Sequence, residues 1–165
     1  MSLGAGLFLA FLIAQRLSEL VIAKRNTARL LAKGARELGA GHYPVMVAMH
    51  SLWIGALVVF GHAAQVQWAW LAVFAVLQMF RVWILTSLGS RWTTRIIVLD
   101  EPLVRRGPYR WLNHPNYVLV VAEIFVAPMV LGLVWVALVF SAMNAAMLWV
   151  RIRAENAALR QVVRD

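Results

Sequence analysis

The sequence predicts an all-α integral membrane protein with five transmembrane helices, the last two a helical hairpin, the N-terminus outside and the C-terminus cytoplasmic. Three observations carry that reading. Hydrophobic residues make up 62% of the chain and charged residues 14%, too little charge to cover a water-facing surface. Apolar stretches of about 20 residues recur with Trp near their ends, the pattern a bilayer selects. The Lys and Arg residues fall in the short segments between alternate stretches. At 165 residues the chain is one membrane domain, with a three-helix part over 1–88 and a second part over 89–165.

The first span runs from about Leu3 to Ile22, and the stretch Met1 to Ala14 has no basic residue before it. That marks an uncleaved membrane helix and not a secretory signal. A basic loop follows with Lys24, Arg25, Arg29, Lys33 and Arg36; Gly39, Gly41 and Pro44 then punctuate the start of a second span, about Tyr43 to Phe60. The connection Gly61 to Gln67 holds no Lys, Arg, Asp or Glu. A third span, about Trp68 to Leu88, ends near Gly89, and the long polar stretch Gly89 to Asn116 contains Arg91, Arg95, Arg105, Arg106 and Arg110. The stretch Tyr117 to Val150, as one helix, would extend about 51 Å at 1.5 Å per residue, against a hydrocarbon core of about 30 Å. Pro128 and Gly132 sit near its middle, where a hairpin would turn. Basic clusters precede it (Arg105, Arg106, Arg110) and follow it (Arg151, Arg153, Arg160, Arg164). Both belong on the cytoplasmic side, so the chain crosses twice. Every Lys and Arg except Arg16 and Arg81 is then cytoplasmic.

A net charge of +9 invites a nucleic-acid reading, but no soluble module remains to carry one. The basic residues fit positive-inside topology and attraction to anionic lipid or an anionic ligand. The absence of cysteine excludes disulfides, Cys-ligated zinc and thiolate nucleophiles. His42, His50 and His62 have no acidic cluster beside them and read as interface or packing residues, so no metal is expected.

Ionisable groups inside the spans are costly, roughly 2.5–3.5 kcal/mol each at mid-helix. Arg16 and Glu19 are three apart, can pair on one face, and lie near enough to the cytoplasmic end to snorkel. Arg81 shares a face with Gln78. Glu123 has no basic residue at helical spacing in its own helix, so its partner comes from another helix, with Arg81 a candidate. In the fifth helix Ser141, Asn144, Leu148, Arg151 and Glu155 share one face. An Arg151–Glu155 pair at i, i+4 explains its surface end; a stripe lining a cavity explains the deeper Asn144 and Ser141 as well.

The segment Leu103 to Tyr117 reads LVRRGPYRWLNHPNY. Gly107-Pro108 makes a turn after a short extended stretch, Ile96 to Leu99, and Tyr109 and Trp111 are interfacial aromatics. Asn113 is a plausible N-cap with Pro115 in the first helical turn. Such a helix start favours an anion, and on physics alone this is an anion-binding, aromatic-lined site at the membrane surface.

Gly107-Pro108-Tyr109 followed by His114-Pro115-x-Tyr117 resembles the signature of the isoprenylcysteine carboxyl methyltransferase family, G-x-Y-x-x-x-R-H-P-x-Y. The second family signature, R-x-x-x-E-E-x-x-L, is similar to Arg151, Glu155 and Leu159 in RIRAENAAL. The resemblance covers about Ser87 to Leu159, with the two blocks a helical hairpin apart as in the family. The N-terminal part, including RNTARLLAKGARELGAGHYP, resembles the short bacterial branch, some members of which O-methylate alkylpyrones and alkylresorcinols. The resemblance implies S-adenosylmethionine as methyl donor, with Gly107, Tyr109, His114, Pro115, Tyr117, Arg151 and Glu155 on the cofactor side, and the polar stripe of the fifth helix adds Asn144 to that side. The candidate catalytic set is Arg151, Glu123 and His114: Arg151 holds the cofactor or the acceptor by the resemblance, and His114 or the intramembrane acid Glu123 serves as base if the acceptor is a phenol. Asn113 stands where the family has Arg, and Asn156 replaces the second Glu, which moves the expected acceptor from a carboxylate toward a small lipophilic enol or phenol. Carboxyl methylation of an isoprenylcysteine-like or other lipid carboxylate is the alternative. Two other classes compete: an NADPH-dependent sterol-type reductase, and a non-enzymatic membrane scaffold. The expected partners are the lipophilic acceptor and the bilayer, with the active site at the cytoplasmic face of the cell (inner) membrane.

Overall fold

A computed structural model describes residues 2–99, 101–102 and 104–162, with side chains as far as Glu155. Leu103 and the side chains of Asn156, Leu159, Arg160 and Arg164 lie outside the described residues. Five helices dominate: α1 (Leu3–Ala32), α2 (Tyr43–Gly61), α3 (Trp68–Leu88), α4 (Pro115–Val130) and α5 (Val134–Val162). Four of them, α1, α2, α3 and α5, are long and apolar enough to cross a membrane. The 16 residues of α4 span about 24 Å at 1.5 Å per residue, somewhat less than a hydrocarbon core of about 30 Å.

The ends of the helices sort into two groups. At one end Ser2 donates from its backbone N to the His62 carbonyl (3.0 Å) and from Oγ to the Ala64 carbonyl (2.6 Å). There too the Gln67 N–H reaches the Val130 carbonyl at 2.8 Å, and a Cβ on Gly61 would lie 2.5 Å from Leu131. The N-terminus, the α2–α3 connection and the α4–α5 turn therefore meet. The turn forms where Pro128 and Gly132 predict it: Pro128 sits in the last turn of α4, and Gly132 adopts φ +68° just beyond it. At the opposite end lie the α1–α2 and α3–α4 connections and the far part of α5, tied together by a short antiparallel sheet of β1 (Arg36–Leu38) and β2 (Ile96–Val98).

Two expectations change here. The first helix does not stop at Ile22 but runs to Ala32, because AKRNTARLLA contains no helix breaker before Gly34. Lys24, Arg25 and Arg29 are thus helical instead of looped. The stretch from Ile96 is extended as predicted, but its pairing with Arg36–Leu38 makes the fold nearly and not wholly α.

The core lies between all five helices, with Leu12, Trp53, Leu57, Phe74, Ile124, Ala127, Val130 and Val136 buried in one cluster. Large apolar side chains such as Leu7, Phe11, Leu52 and Val121 point outward, as a bilayer-facing surface requires.

Polar groups interrupt that core at one level. Arg81 bonds Glu19 at 2.6 Å and also engages both oxygens of Glu123, its Nε at 2.9 Å. Arg16 reaches Glu123 at 2.7 Å and Glu19 at 3.1 Å, and Gln78 donates to Glu123 at 3.0 Å. Two cations and two carboxylates from α1, α3 and α4 neutralise one another. Arg16 therefore points into the bundle instead of snorkelling: the Glu123 carboxylate, fully buried, supplies a closer partner than the interface does.

Candidate active site

The start of α4 sets the site. The capping position is His114, with φ −133° and ψ 59° and no side-chain cap, not Asn113, which is exposed one residue earlier. Pro115 has no N–H and the Tyr117 N–H turns back to the His114 carbonyl at 3.1 Å, so the Asn116 N–H and the positive end of the helix dipole are what α4 leaves open toward the connecting segment. Pro115, at the first helical position, is buried. One turn on, Tyr117 stacks on the His114 ring, centroids 5.3 Å apart and planes 18° from parallel.

From α5, Glu155 accepts a 2.5 Å hydrogen bond from the Tyr117 hydroxyl, and its other oxygen lies 3.8 Å from His114 Nδ1. Both motifs thus meet in one cluster. Tyr109, on a short helical turn over Gly107–Arg110, completes the aromatic wall. Burial, together with the nearby Glu155 and Tyr117, holds its phenol well above its ordinary value. Tyr109 is therefore a neutral hydroxyl at any physiological pH.

Arg151 is 5% exposed. Its Nη2 donates to the Thr94 carbonyl at 3.0 Å, its Nη1 contacts Met46 Sδ at 2.7 Å, and its guanidinium carbon lies 5.7 Å from the Tyr117 ring centre. Its Nε has no partner among the described residues. The expected Arg151–Glu155 ion pair does not form, because Tyr117 takes the Glu155 oxygen and the Thr94 carbonyl takes the guanidinium. Thr94 is itself held: the Tyr43 hydroxyl bonds its Oγ1 at 3.1 Å, and the neighbouring Arg95 bonds Glu37 at 2.7 Å while lying 4.3 Å over the Tyr43 ring. Tyr43, Met46 and Thr94 were not foreseen from sequence. No local pattern marks them, since their proximity to Arg151 depends on the register of the β1–β2 pair.

Three predicted site residues lie apart from this cluster. Glu123, expected as a catalytic group, is fully buried within the Arg16–Arg81–Glu19 network, two turns along α4 from His114. Both its oxygens are held by guanidinium and amide donors, which leaves no lone pair to accept a substrate proton. These contacts tie α4 to α1 and α3. Gly107, expected beside the cofactor, turns the chain against α3: it has φ +58°, and a Cβ there would fall 2.0 Å from Ser87 Oγ. Asn144 is 2% exposed and sits two turns below Arg151 on the same face of α5, away from the Tyr117–Glu155 contact.

Among the described residues, no group of His, Cys, Asp and Glu has the arrangement of a metal site. The basic residues Arg91, Arg105 and Arg106 line a shallow depression near the end of α3, beside the cluster and not within it.

No solved structure matches the chain. An uncharacterized protein of Bacillus subtilis (strain 168), YpbQ, is 40% identical, over 94% of this chain and 96% of its own length. An uncharacterized protein of Haemophilus influenzae (strain ATCC 51907 / DSM 11121 / KW20 / Rd) is 27% identical over 91% of each chain. The model of the isoprenylcysteine carboxyl methyltransferase family matches residues 70–161, spanning α3, the connecting segment and the α4–α5 hairpin. The chain belongs to the isoprenylcysteine carboxyl methyltransferase (ICMT) family, multi-pass membrane methyltransferases that take their methyl group from S-adenosylmethionine.

Proposed function

We propose that this methyltransferase transfers methyl to the oxygen of a small lipophilic acidic acceptor, an enol or phenol of the alkylpyrone or alkylresorcinol type. The observation that carries the reading is the junction of the two motifs, with Tyr117, His114 and Glu155 in mutual contact at the open start of α4. This donor set suits S-adenosylmethionine. The Glu155 carboxylate accepts from hydroxyl or ammonium groups, and the Tyr109, His114 and Tyr117 rings offer π-faces to a cationic sulfonium. The uncapped helix start and Arg151 attract a carboxylate. When bound, the cofactor supplies an electrophilic methyl group; the protein's own work is to hold the reactants in line and exclude water.

The chain crosses the membrane five times in this reading, with its N-terminus outside. The basic end of the bundle, and with it the site, faces the cytoplasm. Asn113 favours the hydroxyl acceptor, because an exposed neutral amide gives no cation to steer a carboxylate there. His114 is partly exposed beside Glu155 and is the residue of the cluster suited to relay a proton.

Calorimetry with S-adenosylhomocysteine on detergent-purified protein tests the cofactor site. Micromolar binding that weakens in Glu155→Gln supports it; no heat at high micromolar ligand overturns it. Transfer of labelled methyl to a long-chain hydroxypyrone, and not to a fatty carboxylate of equal length, tests the acceptor class.

A further inference from the structure

We propose that the polar head of the acceptor is read by α2, through His50, in the seam between α2 and α5. The inference rests on the methyltransferase reading and adds a residue to it. Met46, His50, Trp53 and Leu57 follow one another at helical spacing, so they form one stripe of α2. The head of that stripe touches Arg151 of α5 through Met46. His50 stands one turn further in. Its Nδ1 lies 2.9 Å from the Met46 carbonyl, which can only accept, so Nδ1 carries the proton. In the neutral ring Nε2 then presents a lone pair, and no protein donor among the described residues takes it. One turn deeper, Trp53 is fully buried with its indole N–H unbonded among the described residues.

Two donors, Arg151 Nε and Trp53 Nε1, are therefore buried without a partner among the described residues, and the partly buried His50 adds an Nε2 lone pair that no donor of those residues takes. Leaving the two buried donors empty in an apolar interior costs free energy. Arg151 adds a buried positive charge that has no carboxylate within 4.0 Å among the described residues. The complementary ligand is a ring bearing an acidic hydroxyl, to donate to His50, and a carbonyl or second oxygen, to accept from the donors. A hydroxypyrone or a resorcinol has that pattern; a plain alkane or alcohol does not. His50, Met46 and Trp53 also lie outside the segment 70–161 that matches the family model. A cofactor site common to the family on α4 and α5 is thus faced by a wall from the other part of the chain, the arrangement expected where members differ in acceptor.

The natural absence of cysteine permits a direct test. Met46→Cys introduces one thiol at the seam, and its labelling by a small water-soluble methanethiosulfonate is followed in detergent. A long-chain hydroxypyrone should protect the thiol, while the n-alkyl alcohol of equal length should not. In Met46→Cys/His50→Leu the protecting concentration should rise about tenfold, the loss expected for one hydrogen bond to a partly charged ligand; His50→Gln, which keeps an acceptor oxygen, should recover most of it. In the Cys-free chain, S-adenosylhomocysteine binding should stay within about twofold in both His50 variants. Failure of the hydroxypyrone to protect, or equal protection with and without His50, overturns the proposal. If homocysteine-analogue binding persists in that case, the methyltransferase reading stands and only the α2 assignment falls.

Discussion

Replacing Glu123 by Gln separates the anchoring role from the catalytic role first expected of it. The side chain is fully buried and its oxygens are held by Arg16, Arg81 and Gln78. The substitution leaves Arg16 and Arg81 facing Glu19 alone, so one buried positive charge loses its counterion. Breaking a buried pair in this way costs about 3–5 kcal/mol. The double variant Glu123→Gln/Arg16→Gln restores neutrality, with Arg81 still on Glu19 at 2.6 Å. It should lose no more than about half as much, a non-additivity expected of groups in one network. Equilibrium unfolding in mixed micelles measures both. Because Glu123 lies apart from the His114–Tyr117–Glu155 cluster, turnover per folded molecule should fall less than about threefold, whereas removal of a true general base costs about 10²–10⁴. A stability loss below about 1 kcal/mol, or a hundredfold loss of turnover in a folded variant, would refute the anchoring argument.

Other consequences follow from the site. Tyr117→Phe removes the hydroxyl that donates to Glu155 and should weaken S-adenosylhomocysteine binding about tenfold in calorimetry, the scale of a charge-assisted hydrogen bond. Gly107→Ala forces a Cβ to 2.0 Å from Ser87 Oγ at a positive φ, for a loss of about 1–3 kcal/mol that Ser87→Gly should partly reverse; no reversal would place the cost in the backbone alone. Glu37→Gln breaks a partly exposed pair with Arg95 and should cost less than about 1 kcal/mol, read from the unfolding midpoint. For Tyr109, burial raises the phenol above its ordinary 10.0. That stabilisation is complete below the unfolded value and is lost as pH rises toward the folded one. The unfolding midpoint should therefore drop above about pH 10, and drop less in Tyr109→Phe.

The polar residues within the spans show how far sequence reasoning reaches. Glu123 needed a partner from another helix, and Arg81 was the natural choice; both follow from the cost of a lone charge in hydrocarbon. What that cost does not specify is which carboxylates and cations close the set. Arg16 had the option of the interface, and only the packing of α1 against α3 and α4 brought it within 2.7 Å of Glu123. The motif at the start of α4 was similarly legible in outline. His114, Tyr117 and Glu155 come together at the start of α4, where the family resemblance put both motifs, and Gly107 turns the chain close against Ser87 of α3.

By itself, the sequence determined the elements whose causes are local. The apolar lengths set the helices, Pro128 and Gly132 set the hairpin turn, and the placement of Lys and Arg set which connections share a face. Each depends on a few consecutive residues and on the solvent they meet, so each can be read one stretch at a time. The tertiary structure alone decided what each polar atom touches. The Thr94 carbonyl displaces Glu155 as the partner of Arg151, Met46 of α2 comes to touch Arg151 of α5, and Glu123 is enclosed by Arg16 and Arg81. These are contacts between residues distant in the chain, fixed by a sheet register and by helix packing whose energies no local pattern encodes.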